Sequence, residues 1–180
     1  MASKRQKQKY FRRFSGFSLL ELLIAVCIIG ILAATALVHY RKYQAQAEIV
    51  SALSFADMSK RELLEYYYLV GKWPEGERQL RENTRMFSPQ LEFNPLKNSP
   101  FDRVTIDSGG AVNFWFSKSS NMQQYISNPL LTLRPALTGS GQGNIFWLCG
   151  NAEVPENAVV SGKNRTNIPD DLLLTNCKRN

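Results

Sequence analysis

The chain has 180 residues, with 22 Lys and Arg, 15 Asp and Glu, one His and three Cys, and 44% of it is hydrophobic. This excludes a disordered or collagen-like chain, and the length allows one globular domain with an appendage. A single His excludes most zinc and histidine-triad chemistry, so no metal, cofactor or catalytic site is expected. The net charge of +7 invites a nucleic-acid partner, but Lys4, Arg5, Lys7, Lys9, Arg12 and Arg13 supply six of those charges, with no acid among residues 1–16. The rest of the chain is close to neutral.

Residues 17–38 follow this basic segment and carry one charge, Glu21. About twenty apolar positions are enough to cross roughly 30 Å of hydrocarbon as a helix. The basic flank places residues 1–16 on the cytoplasmic side. A secretory signal would have a shorter apolar core and a cleavage site after it. A plain signal anchor would account for the length. Neither accounts for Glu21, since a carboxylate in the bilayer costs about 2.5–3.5 kcal/mol on insertion scales and usually has a partner.

Gly16-Phe17-Ser18-Leu19-Leu20-Glu21, behind a basic leader and ahead of an apolar helix, resembles the cleavage and assembly motif of type IV prepilins. The resemblance implies that a prepilin peptidase cuts between Gly16 and Phe17, and that the new Phe17 amine is N-methylated. It implies an inner-membrane precursor that an assembly platform builds into an extracellular filament of identical subunits. Physically, Glu21 of one subunit can meet the Phe17 amine of a neighbour. A misplaced subunit would leave a buried charge unpaired, so the pair sets axial register. Many pilins carry a proline where this chain has Val38, which leaves Gly30 as the weak point of the helix.

The helix is expected to run over residues 17–71. Residues 39–70 contain no Pro or Gly, and Ile49, Leu53, Ala56, Leu63, Tyr67 and Val70 recur at helical steps, interrupted at Lys60. That is one apolar face. Gly71 and Pro74 then stop the helix. Residues 72–180 form the head. A variable loop, 72–102, holds four prolines and a short helix near 79–84. A β-meander, 103–149, follows, with strands expected at 103–107, 111–116, 130–134 and 144–149. The glycine-rich run 139–143 lacks the Lys-Ser/Thr of a phosphate loop and reads as a hairpin turn. The fold class is α+β, a type IV pilin fold in which the outer half of the helix covers a sheet of about four antiparallel strands.

An exported head meets oxidising conditions, which pairs Cys149 with Cys177 and leaves Cys27 as a small hydrophobe in the apolar helix. The segment 167–177 resembles the closing part of the pilin disulfide loop. The family implies a structural pilus subunit serving adhesion, twitching motility, biofilm formation and DNA uptake, with a host surface or DNA as candidate ligand. Two alternatives share the leader. A type II secretion pseudopilin usually lacks the terminal disulfide loop and carries an acidic calcium loop, whereas Asp170-Asp171 lacks the alternating ligand spacing. A minor pilin acting as DNA receptor would use Lys163, Arg165, Lys178 and Arg179 around the disulfide loop to hold phosphates. The preferred reading of those four is an ordinary solvated loop, offset by Asp170 and Asp171.

Overall fold

The structure, a computed structural model, describes residues 17–83, 99–139 and 143–179. They fall into two compact units that part between His39 and Tyr40. One helix, α1 (Leu19–Val70), contributes to both.

In the first unit α1 is apolar on every side, and apart from Ala25 its described side chains are exposed. Ser18 starts the helix: its Oγ accepts the Leu20 N–H at 3.3 Å and its carbonyl accepts the Leu22 N–H at 3.1 Å. Two first-turn donors are thereby satisfied. The helix is continuous through Gly30, where an added Cβ would meet nothing within 4 Å.

In the second unit α1 packs on a five-stranded antiparallel sheet. The strands are β1 (Phe101–Asp107), β2 (Ala111–Phe116), β3 (Leu130–Thr138), β4 (Ile145–Cys149) and β5 (Ala158–Val160). The order is β1-β2-β3-β4, with β5 also paired to β3. A short helix, α2 (Glu77–Asn83), lies between α1 and β1. Phe55 of α1 meets Phe101 and Phe114 edge-on at 5.3 and 6.3 Å, which ties the helix to β1 and β2. Buried Val104, Ile106, Val112, Phe114, Leu131 and Leu133 belong to the same core as Ile49, Ala52, Ala56 and Leu63.

The face that α1 buries is turned from the expected one. Its centre runs through Ala45, Ile49, Ala52, Ala56, Ser59, Leu63 and Tyr66. Leu53 and Tyr67 sit half-buried beside it, and Val70 is exposed. Ala45, Ala52, Ala56 and Ser59 occupy the seam together with the larger Ile49, Leu63 and Tyr66, so it mixes small and large side chains. Gly71 ends the helix as expected, at φ +79, with its N–H on the Tyr67 carbonyl at 2.8 Å.

Three strand expectations change. β1 starts at Phe101, so the sheet begins before residue 103. β5 has only three residues and too little pattern to announce itself. β3 does not stop at residue 134 but runs through Pro135 to Thr138. The reason lies in edge geometry. The Pro135 carbonyl accepts the Ser161 N–H at 2.9 Å, so its ring nitrogen faces the same edge. On that edge pairing with β2 ends at Leu133 and pairing with β5 begins at Ala136. The missing N–H falls in the gap between the two partners, where no ladder bond is lost.

The β1–β2 turn carries Gly109 and Gly110 at φ +82 and +72. Both donate to the Pro74 carbonyl, at 3.0 and 3.3 Å, which docks the turn beside Trp73. Trp73 stacks on Tyr67 at 4.4 Å and meets Trp147 edge-on at 6.1 Å, closing that end of the core.

Candidate functional site

Two regions hold the expected functional residues. The first is the start of α1. Phe17 is described and 78% exposed, whereas Gly16, the other side of the expected cut, lies outside the described residues. Glu21 falls in the first turn of α1, where a negative charge suits the positive end of the helix dipole. It is exposed and makes no ion pair among the described residues. Leu19, Leu20, Leu22, Leu23, Ile24, Val26, Ile28, Ile29, Ile31, Leu32 and Leu37 all lie more than half exposed around it. Soluble monomers seldom present so large an apolar surface. Cys27 is a free, exposed thiol on this stretch.

The second region is the C-terminal loop. Cys149 and Cys177 form a disulfide with their Cα atoms 4.5 Å apart, joining the end of β4 to a 3-10 turn at Thr175–Cys177. The pairing expected from the sequence is present. Gly150 follows at φ +55, and an added Cβ would lie 2.8 Å from the Cys177 carbonyl oxygen. Only glycine fits both that conformation and that approach. The Asn151 N–H donates to the same carbonyl at 2.8 Å. Ile168, Leu172 and Leu173 are buried, so the loop adds to the core as well as closing it. Asn167 also extends the sheet edge beyond β4: its Oδ1 accepts the Leu130 N–H at 2.8 Å and its N–H donates to the Leu130 carbonyl at 3.2 Å.

The four basic candidates are not equivalent. Lys163 and Arg179 are exposed and Lys178 is half-buried. Arg165 pairs with Asp107 at 3.1 Å, across the sheet face away from α1. Asp170 accepts from Asn151 at 2.8 Å.

Two carboxylates on α1 matter more than the sequence suggests. Glu48 accepts from Ser120 Oγ at 2.5 Å, the Asn121 N–H at 2.9 Å and Asn121 Nδ2 at 2.8 Å. It thereby fixes the 3-10 turn Asn121–Gln124 to the helix. Glu62 is buried, its Oε2 has no hydrogen-bond partner, and neither has Ser59 Oγ one turn earlier. Burial, aided by the Glu65 charge, pushes the Glu62 pKa up to about 7. Sequence reasoning missed Glu62 because it lies between Ser59 and Tyr66 on a seam that the apolar pattern did not mark.

Comparison with known proteins agrees with this architecture. The family described as the prokaryotic N-terminal methylation motif matches residues 11–37. The type IV major pilin protein PilE1 of Neisseria gonorrhoeae is 32% identical over 167 residues, covering 91% of this chain and 86% of that protein. A fimbrial protein of Neisseria meningitidis serogroup A is 31% identical, covering 82% of this chain and 86% of its own length. The fimbrial protein EcpC of Eikenella corrodens is 46% identical over a shorter stretch of 59 residues, 33% of this chain and 39% of its own. With the long N-terminal helix, the antiparallel sheet and the Cys149–Cys177 bridge, the chain belongs to the type IV pilin family.

Proposed function

We propose that the chain is a structural subunit of a type IV pilus. In this reading it enters the inner membrane as a precursor, loses residues 1–16 to a prepilin peptidase, is N-methylated at Phe17 and is built by a membrane platform into an extracellular filament. The observation that carries the proposal is the apolar first part of α1, exposed almost throughout and bearing Glu21 as its one charge between residues 17 and 38. Such a surface needs lipid before assembly and other subunits afterwards. In the filament, Glu21 would take the Phe17 amine of a neighbouring subunit as its counter-charge.

The relatives named as pilins, together with the Cys149–Cys177 bridge, favour a pilus subunit over a secretion pseudopilin. The DNA-receptor reading loses support from Arg165, which already serves Asp107 at 3.1 Å. Adhesion, twitching and DNA uptake are proposed as properties of the whole filament, and no catalysis is assigned to this chain.

The test is mass analysis of surface filaments sheared from cells that make this chain. The filament protein should begin at methylated Phe17. A filament subunit that retains Arg13, or a chain found only in the membrane fraction, would overturn the proposal.

A further inference from the structure

The donors that meet Glu48 are all neutral. Oε1 takes the Asn121 N–H and Asn121 Nδ2, and Oε2 takes the Ser120 hydroxyl. Oε1 is thereby filled, while Oε2 keeps one acceptor position. No ion pair among the described residues includes Glu48. One turn away on α1, Gln44, Ala45, Ser51 and Ala52 carry no charge. On the connection between β2 and β3, Lys118 is exposed and makes no ion pair with it. The carboxylate is half-buried and has hydrogen bonds but no counter-charge.

An open cleft of about 450 Å³ lies beside it, within the size range of small-ligand sites. One wall is α1, with Ala47, Glu48 and Ser51. The other comes from Ser99 and Pro100, just before β1, and from Ser119 and Ser120, after β2. Ser51 and Ser99 make no side-chain hydrogen bond among the described residues. The Ser120 hydroxyl gives its proton to Glu48 and accepts the Met122 N–H at 3.0 Å. Ser119 Oγ stands 2.9 Å from Ser117 Oγ. The lining therefore holds one negative charge, no positive charge and hydroxyl oxygens on both walls. Hydroxyls can donate or accept. Glu48 fixes the sign of the charge that the cleft favours.

We propose that this cleft binds a small primary amine through its ammonium group, with one N–H on Glu48 Oε2 and the others on the Ser51 and Ser99 hydroxyls. An ammonium is a compact charge with three donors and no acceptor, which suits a cleft whose acceptors come from two walls. A guanidinium suits it less, because its planar fork seeks both oxygens of one carboxylate and Oε1 is already filled. A quaternary ammonium has the charge but no donor. Ala47 and Pro100 offer apolar surface to the carbon chain of the amine. Every group of the site belongs to the unit that begins at Tyr40, so the proposal does not depend on filament assembly.

The experiment is thermal unfolding of the full chain in a non-ionic detergent at neutral pH, titrated with ethylammonium chloride. Tetramethylammonium chloride keeps the ionic strength constant and serves alone as the baseline. Ethylammonium should raise Tm above that baseline along a saturating curve. Glu48→Gln keeps an amide oxygen for the turn but removes the charge, and should abolish the saturating part. Ser51→Ala, at an exposed position of α1, should leave the Tm without amine unchanged and move the midpoint about tenfold toward higher amine. If Glu48→Gln does not unfold cooperatively, the Glu48 carboxylate carbon resonance of the unaltered chain decides, by shifting saturably with ethylammonium and not with tetramethylammonium. The proposal is overturned if the two cations give the same curve, if the saturating rise is equal in Glu48→Gln, or if the resonance does not move.

Discussion

The two parts of α1 share one backbone geometry and solve opposite problems. Up to residue 37 the helix is apolar all round, and its large side chains are exposed. From Tyr40 to Val70 it buries one seam against the sheet, with Glu62 on it, and turns Arg41, Asp57 and Arg61 outward. The difference shows where each part gets its stability. The outer part is stabilised within its own chain, since a fully buried Leu or Ile contributes about 1.5–3 kcal/mol. Among the described residues the apolar part has no such partner, and in the proposed function its burial would come from lipid and then from other subunits.

Removing the single charge from the apolar part should have the largest effect on assembly. Glu21→Ala relieves the bilayer of a carboxylate, so membrane insertion should be unchanged or improved. Assembly should suffer, because the incoming Phe17 amine loses its counter-charge. Breaking a buried pair costs about 3–5 kcal/mol. At the lower figure the growth equilibrium falls by roughly two powers of ten. Membrane-resident protein and sheared filaments, measured separately with the variant as sole copy, check this. Normal filament yield would remove the docking role, and loss of the membrane pool would reassign Glu21 to insertion.

The same substitution in each part sharpens the contrast. Leu63 is fully buried and Leu32 is 63% exposed. Leu63→Ala should destabilise the head of the detergent-solubilised chain by about 2–5 kcal/mol. Leu32→Ala should leave that unfolding transition unmoved and instead lower the stability of assembled filaments. Equal effects on the solubilised chain would show that the apolar part packs on its own head. Cys177→Ser tests the far end of the outer unit. Opening this loop should cost about 2–4 kcal/mol and release the Asn151 and Asn167 contacts, read as a lower denaturant midpoint. An unchanged midpoint would mean that Ile168, Leu172 and Leu173 hold the tail without the bridge.

Most of this organisation was legible in the residues. Glu21 and the uncharged run that becomes the apolar part of α1 are local signals that require no tertiary knowledge. The helix stop at Gly71, the turn at Gly109 and Gly110 and the strand at Ala111–Phe116 follow from turn chemistry and alternation. What stayed hidden depends on partners distant in sequence. The buried seam passes through Ala45, Ala52 and Ser59, whose small size suits the sheet but carries little hydrophobic signal. Continuation of β3 through Pro135 depends on a gap between β2 and β5, which no local pattern reveals. Glu48 resembles a surface acid until Ser120 and Asn121 fold onto it. The Asn113–Thr132 pair looks like two misplaced polar residues until the tail covers them.

The smallest expected effect lies on the seam itself. Glu62 is the one carboxylate buried there among the described residues, beside the unpartnered Ser59 hydroxyl. Unfolded, it titrates at the ordinary value of 4.5; folded, it keeps its proton up to about 7. Between those values the folded state binds more protons than the unfolded one, so stability falls as pH rises. The contribution is intact below 4.5, declines through the window and levels off above 7. The loss should be on the order of 1–3 kcal/mol. Glu62→Gln cannot ionise, so its stability should be flatter over this range, with the largest gain over the unaltered chain near pH 8. Denaturant midpoints of the solubilised chain at several pH values give the comparison. The apolar part of α1 has no group of this kind beyond Glu21, so Glu21→Gln should leave the head's profile unchanged. Parallel profiles for Glu62→Gln and the unaltered chain would mean that Glu62 reaches water in the folded head, and that the seam tolerates its charge.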